Sequence, residues 1–255
     1  MALKVTAIVL SKNEEKDING CLESLAWTDE ILLIDSGSTD KTIEIAEKEE
    51  ARVIRAQKGG YSQWRNLGAK EANGDWLLYV DADERVTPLL RKEILQAVNR
   101  KQSAEINYSA YAIPRRNFVF GKELKHGGWY PDYVKRLFDK KTFLGWSGEL
   151  HEEPKISGSM GHLKSALIHI KENSLEEMVD KTNVWSDIEA KLMYDAHHPP
   201  MNVFRFASAM FREFWLRMIK KMAFLDGPVG IIFALYQVYS RFISYAKLWE
   251  RQQKR

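Results

Sequence analysis

Trp76-Leu-Leu-Tyr-Val-Asp-Ala-Asp83 is an apolar run that ends in two carboxylates. Residues 76–80 are large and apolar, which predicts a buried β-strand with Asp81 and Asp83 at its end. In an extended chain residues i and i+2 point to the same side, so these carboxylates repel each other unless a positive charge lies between them. Because Mg²⁺ and Mn²⁺ prefer oxygen ligands, the pair predicts a site for a divalent metal.

Short apolar strands alternate with helical segments on both sides of this run. Such alternation indicates βαβ units around a mainly parallel sheet, which is an α/β fold. The pattern becomes less regular after about residue 108, where three further strands are predicted. The predicted strands are 5–10, 31–34, 53–54, 76–80, 111–113, 134–138 and 166–170, and the predicted helices are 18–25, 42–50, 63–72 and 89–98.

Polar clusters follow three of the predicted strands. Asn13 and Glu14 follow the first strand, Asp35 follows the second, and Asp81 and Asp83 follow the fourth. A single acidic residue after a strand is usually a helix cap or a turn residue. The carboxyl ends of parallel strands share one edge of the sheet, where α/β proteins bind their ligands, so the three clusters together predict a nucleotide-binding crevice.

Four segments resemble the family-2 glycosyltransferases with the GT-A fold, and they occur in the order expected of that family. The closer resemblance is to the bacterial lipopolysaccharide-core β-glucosyltransferase branch, through three further segments. The four family segments are Ala7-Ile-Val-Leu-Ser-Lys-Asn-Glu-Glu15, Ile34-Asp-Ser-Gly-Ser-Thr-Asp40, Arg65-Asn-Leu-Gly68 followed by Gly74, and Tyr79-Val-Asp-Ala-Asp83; the three branch segments are Gly148-Glu-Leu-His-Glu-Glu153, Phe224-Leu-Asp-Gly-Pro-Val-Gly230 and Tyr245-Ala-Lys-Leu-Trp249.

The resemblance implies roles for individual residues. Asp35 would contact the nucleoside, Arg65 the base or the diphosphate, Asp81 would lie near the ribose and the metal, and Asp83 would ligate the metal. Many relatives carry Asp where this chain has Ser36, which leaves the donor base open. The nucleotide-sugar-binding residues are expected to be Asn13, Glu14, Asp35, Arg65, Asp81 and Asp83.

A catalytic base is expected from the acidic cluster in the second half of the chain. The resemblance favours Glu152, with Glu149 and Glu153 as alternatives. His169 ends a predicted strand, where it is either a third metal or phosphate ligand beside Asp81 and Asp83 or a structural histidine.

The C-terminal part of the chain differs from the rest in charge. From residue 202 onward there are ten Lys or Arg and three Asp or Glu, a net charge of +7, whereas the remainder carries −4. On a helical projection of residues 204–225 most aromatic side chains fall on one face and most basic side chains on the other. This pattern predicts helices that contact anionic lipid; packing on the catalytic domain and dimerisation are the alternatives.

Domains and location follow from these observations. We expect a GT-A catalytic domain over 1–170, with a nucleotide-sugar half at 1–100 and an acceptor half at 101–170, and a helical extension over 171–255. A single cysteine, Cys21, and a start without the pattern of a secretory signal favour the reducing cytoplasm. A peripheral position on the inner face of the cytoplasmic membrane follows from the basic helices.

The predicted function is inverting, metal-dependent transfer of a hexose to a glycan or glycolipid. A UDP-hexose such as UDP-glucose is the first donor to test, and the closer resemblance implies the lipopolysaccharide inner core as acceptor. No nucleic-acid partner is expected. A nucleotidyltransferase is less consistent with the acidic loop after the first strand, which suits a triphosphate poorly; a non-catalytic sugar-nucleotide-binding protein is the other alternative.

Overall fold

The structure is a computed structural model that describes residues 3–56, 58–100, 108–148, 152–172 and 174–254. Its strands are β1 Val5–Ser11, β2 Glu30–Asp35, β3 Arg52–Arg55, β4 Trp76–Asp81, β5 Glu84–Val86, β6 Ala110–Val119, β7 Lys122–Leu124, β8 Asp132–Asp139, β9 Phe143–Ser147, β10 Glu153–Ile156, β11 Met160–His162 and β12 Leu167–Glu172. Its α-helices are α1 Ile18–Glu23, α2 Thr42–Lys48, α3 Tyr61–Glu71, α4 Pro88–Arg100, α5 Leu175–Asp195, α6 Val203–Phe214 and α7 Gly227–Gln253; a π-helical segment spans Trp215–Lys220 and a 3₁₀ turn spans Ala223–Asp226.

The first half of the chain forms the predicted parallel sheet. Its strands lie in the order β3-β2-β1-β4, and every neighbouring pair is parallel. Ser11 pairs with Asp35, and Leu10 pairs with Asp81, so the carboxyl ends of β1, β2 and β4 lie at one edge. The α/β prediction is confirmed, and all three predicted polar clusters lie at the ends of strands at this edge.

Burial of β1 on both faces explains why it reads as a continuous apolar run. Every residue from Val5 to Val9 is buried, as expected for a central parallel strand covered by helices. Helix α3 covers one face through Gly68, where an added Cβ would lie 2.5 Å from Ile8 Cγ2. A larger residue at position 68 would therefore push α3, and Arg65 with it, away from the sheet.

The second half of the sheet contains antiparallel pairs, so the sheet as a whole is mixed. Strand β8 pairs antiparallel with β4, β6 pairs antiparallel with β8, and β12 and β5 follow in the sheet order. β12 runs antiparallel to β5, which places His169 opposite Glu84. Each of the three predicted strands in this region is present, although β6 is much longer than the prediction of 111–113.

The chain divides into two compact units. Unit 1 comprises Met1–Arg115 and Asp132–His169, and unit 2 comprises Arg116–Pro131 and Ile170–Arg255. Residues 116–131 thus group with the C-terminal helices, whereas the predicted domain boundary at residue 170 assigns them to the catalytic domain. The predicted assignment of a catalytic domain and a C-terminal extension stays a prediction.

Unit 2 is built on three helices and the hairpin of β6 and β7. Phe233 of α7 is fully buried beside Met178 of α5, and Trp129 packs on the Phe233 ring with the centroids 4.7 Å apart. The buried carboxylate of Asp226 accepts hydrogen bonds from the backbone N of His126 at 2.7 Å and contacts His126 Nδ1 at 2.8 Å. Within the described residues no helix has the length and apolar character needed to cross a membrane.

Candidate active site

Asp81 ends β4 at the centre of a charged network. Its Oδ1 accepts hydrogen bonds from Arg65 Nη2 and Arg136 Nη1, each at 3.2 Å, and its Oδ2 is bound by Arg136 Nη2. Burial opposes ionisation of Asp81, but the guanidinium groups of Arg136 and Arg65 outweigh that effect and hold the pKa of Asp81 well below its ordinary value. The carboxylate is therefore a fixed negative charge between two arginines.

Glu84 lies beneath Asp81 and is fully buried. Its Oε2 accepts a hydrogen bond from the Asp81 backbone N at 3.0 Å, and its Oε1 accepts from Arg136 Nη2 at 2.9 Å and from Arg115 Nη1 at 3.3 Å. A buried carboxylate is tolerated because these donors compensate for lost hydration. Glu84 thus holds the turn 81–84 and two arginines in one arrangement.

Arg65 projects from α3 into the same network. Its guanidinium carbon lies 4.9 Å from the Trp146 ring centroid and 5.7 Å from that of Tyr79. Its Nε and Nη1 atoms are buried and have no hydrogen-bond partner among the residues that the structure describes. Buried N–H groups without a partner are rare, which makes these two nitrogens candidates for contact with an oxygen-rich anion.

Asp83 and His169 form a separate pair close by. Asp83 follows Asp81 in the turn to β5, and its Oδ2 lies 3.3 Å from His169 Nε2. The β5–β12 pairing brings the two residues together across 86 positions of sequence. His169 thus contacts Asp83 of the acidic pair, and its role as a ligand stays a prediction.

The loops after β1 and β2 are joined to each other. Asp35 is buried, and its oxygens accept from Ser38 Oγ at 2.5 Å and from the backbone N of Gly37 and Ser38 at 3.0 Å. Asn13 Oδ1 accepts from the Thr39 backbone N at 2.8 Å. In this structure Asp35 and Asn13 hold the shape of these loops, and the predicted contact of Asp35 with a nucleoside is untested.

Glu14 belongs to the same pair of loops. Its backbone N donates to Thr42 Oγ1 at 2.8 Å, at the start of α2. This contact places Glu14 at the sheet edge where the prediction has it, and its role in donor binding remains a prediction.

A cavity of about 410 Å³ opens beside the arginines. Glu152 and Glu153 line it together with Arg65, Arg115 and Arg136. Burial and then the carboxylates of Glu152 and Asp81 raise the pKa of Tyr61. Of the three base candidates, Glu152 and Glu153 both line the cavity, Glu153 is in addition exposed and bound by Lys135, and Glu149 lies outside the described residues.

Comparison with known proteins decides the family. The model of "Glycosyl transferase family 2" matches residues 6–153, which is more than half of the chain. The chain belongs to glycosyl transferase family 2. Both the predicted GT-A fold and the resemblance on which it rested are confirmed.

Relatives of this family-2 transferase cover nearly its whole length. An uncharacterised glycosyltransferase of Rickettsia bellii is 27% identical over 97% of this chain and 86% of its own, and the lipopolysaccharide core biosynthesis glycosyltransferase LpsC of Rhizobium meliloti is 25% identical over 98% and 93%. Among solved structures, glucosyl-3-phosphoglycerate synthase from Mycobacterium tuberculosis, in complex with Mn²⁺, UDP and phosphoglyceric acid, matches with a TM-score of 0.47 and 14% identity over 77% of this chain and 80% of that one.

The family-2 site contains residues that sequence reasoning missed. Arg115, Arg136 and the buried role of Glu84 were not predicted. A signal for Arg136 was present in the sequence, because Arg136 lies within the largely apolar run 134–138, where an arginine requires a buried partner. The β6–β8 register shifts at Arg136, so Val134 and Phe138 pack in different core clusters. The partner itself could not be found from the sequence, since Glu84 is 52 positions away.

Proposed function

We propose that this family-2 transferase moves a hexose from a nucleotide-diphosphate sugar, first of all UDP-glucose or another UDP-hexose, to a glycan or glycolipid hydroxyl with inversion. The observation that carries this proposal is the cavity that is lined by Arg65, Arg115 and Arg136 together with Glu152. Inverting transfer needs cationic groups at the leaving diphosphate and a base at the acceptor, and this cavity has both kinds of group.

Arg65 would bind the diphosphate of the donor. Its Nε and Nη1 atoms, which bind nothing among the described residues, suit paired phosphate oxygens. Arg136 is already engaged by Asp81 and Glu84, so its role is to hold Asp81 in place and to supply positive charge. The loops of Asn13, Glu14 and Asp35 lie at the same sheet edge and would take the nucleoside.

A divalent metal, Mg²⁺ or Mn²⁺, would be held mainly by Asp83 and His169. Their 3.3 Å separation suits one carboxylate and one imidazole ligand, and substrate phosphates and water commonly complete such sites. No group of three or more His, Cys, Asp or Glu side chains suited to a metal occurs in the described part of the chain, and both arginines occupy Asp81. Asp81 would therefore join as a ligand only after an arginine moves. When bound, the cation would offset negative charge on the leaving diphosphate.

Glu152 is the proposed base. It would accept the proton of the acceptor hydroxyl as that oxygen forms a bond to the anomeric carbon and the bond to the diphosphate oxygen breaks. The acceptor class is supported by the name of LpsC, a lipopolysaccharide core enzyme, and the inner core is the first acceptor to test.

A nucleotide-sugar panel, scored for donor hydrolysis with and without Mn²⁺ or Mg²⁺, tests the proposal. We expect hydrolysis of one UDP-hexose that needs the metal and is lost in Asp83→Ala, while the exposed control Asp195→Ala keeps it. Full activity of Asp83→Ala would exclude the metal assignment. Pyrophosphate release from a nucleoside triphosphate would instead identify a nucleotidyltransferase, and donor binding without turnover, even with acceptor, a non-catalytic protein.

A further inference from the structure

Unit 2 carries a row of exposed apolar side chains on α6 and the two segments after it. Phe204 is 85% exposed, Phe211 62% and Trp215 50%, although side chains of this size are normally covered. We call this row the apolar ridge; its members are Phe204, Phe211, Phe214, Trp215, Met222 and Leu225, each at least about a third exposed.

The ridge points away from the face by which α6 packs on α7. Ala209 is the buried residue of α6, and Phe206 packs on Phe242 of α7 with the ring centroids 5.7 Å apart. At 100° per residue Phe204, Phe211 and Trp215 fall roughly opposite this packed face. The helix therefore has a second apolar face, which nothing in the described part of the chain covers.

Positive charge accompanies the ridge. Arg205, Arg212, Lys220 and Lys221 are exposed, and all lie within 203–225. The single acidic residue of this range, Glu213, is bonded to Arg217 Nε at 2.9 Å, so its charge is compensated within the helix. A surface with exposed aromatic rings and uncompensated cations is complementary to a layer that is apolar inside and anionic outside.

We propose that the apolar ridge inserts into the surface of an anionic lipid bilayer, with the four cations at the headgroups. The aromatic side chains of this helix project into solvent, so they can enter the boundary between headgroups and acyl chains. Amphipathic interfacial helices bind membranes in this way. Membrane binding by the ridge does not depend on the proposed function. Only its purpose does, because binding would hold the transferase beside a lipid-linked acceptor.

Vesicle co-sedimentation of the full chain, without donor or acceptor, tests the proposal. We expect binding to vesicles of phosphatidylcholine with about 30% phosphatidylglycerol, weaker binding to pure phosphatidylcholine, and loss of binding as salt rises toward about 0.5 M. Phe211→Ser with Trp215→Ser should weaken binding at least about tenfold, because two rings no longer leave water. Arg212→Glu with Lys220→Glu should do the same on anionic vesicles.

Matched variants control for general effects. Trp249→Ser removes a ring of similar exposure from α7, outside the ridge, and Lys92→Glu reverses an exposed charge in unit 1; both should bind like the parent. Equal binding by the ridge variant would overturn the proposal. Failure of the parent to bind anionic vesicles would overturn it too, and a dimer that is lost in the ridge variant would then identify a second copy of the chain as the partner of the ridge. Donor hydrolysis, measured separately, reports on the proposed function, so the two can fail independently.

Discussion

Unit 1 and unit 2 depart from the usual distribution of side chains in opposite directions. Unit 1 buries charge, since Glu84 and Arg136 lie inside it beside the ring-covered Arg65. Unit 2 exposes apolar rings, and its ridge projects Phe204 and Phe211 into solvent. Both departures lower stability relative to a conventional arrangement, and each coincides with a proposed site. The two proposed sites therefore differ in kind: unit 1 would enclose a small charged ligand, and unit 2 would present exposed side chains to an extended surface.

The largest expected effect concerns chemistry in unit 1. Glu152→Gln should lower kcat by about 10²–10⁴-fold while donor affinity changes little, because the side chain keeps its size and loses the ability to accept a proton. Steady-state kinetics with donor titration measures both quantities. Glu153→Gln, next to it and exposed, is the control and should stay near the parent; a large loss in Glu149→Gln instead would assign the base to that residue.

The next effect tests whether buried charge holds unit 1 together. Arg136→Met should lower the free energy of unfolding by about 3–5 kcal/mol, because Glu84 and Asp81 then lose their shared partner inside the protein. Arg116→Met removes a half-exposed arginine from its pair with Glu123 and should cost less than about 1 kcal/mol. Denaturant unfolding of both variants checks the difference, and equal losses would show that burial of the pair is unimportant.

A smaller effect should depend on pH. The pKa of Asp81 is lowered on folding, so the stability that its charge contributes is full at neutral pH and declines as pH falls below its ordinary value of about 3.9. The difference in Tm between the parent and Asp81→Asn should therefore be largest near pH 7 and narrow toward pH 3. Thermal melts across this range measure it, and a difference that grows on acidification would contradict the assignment of a fixed negative charge.

The smallest effect is expected on the ridge. Phe204→Ser should change the free energy of unfolding by less than about 0.5 kcal/mol, since the ring is 85% exposed and gives up little packing. Phe233→Ala, in the buried core of the same unit, should cost about 3–5 kcal/mol. If Phe204→Ser is as destabilising as Phe233→Ala, the ridge belongs to the structural core and the contrast between the units fails.

Local patterns account for what the sequence predicts correctly. Sequence analysis finds the strands at 5–10 and 76–80 and the carboxylates that follow them. It does so because apolar runs, side-chain periodicity and turn residues are patterns that extend over only a few positions. The exposed face containing Phe204 and Phe211 is visible for the same reason, as a helical period. Whether these rings face solvent or another helix depends on the tertiary structure, which the helical period does not determine.

Contacts between distant residues were not visible. Glu84 looks like an ordinary polar residue after a turn, and its burial arises because β8 and β6 bring Arg136 and Arg115 to it. The engagement of Asp81 by arginines, in place of a free metal ligand, arises in the same way. Sequence reasoning therefore located the edge of the sheet where the site lies and missed the cations that line it.

Arg65 also has a consequence for adaptation. The N–H groups of its Nε and Nη1 have no partner among the described residues, so the ligand-free site is locally frustrated even though Nη2 pairs with Asp81. Selection for thermal tolerance alone would favour joint replacement of Arg65 and Asp81 by neutral side chains, whereas selection for turnover would oppose it. The arginine therefore marks a position where robustness and activity are in conflict, and its retention in a heat-adapted variant would indicate that catalysis constrains the choice.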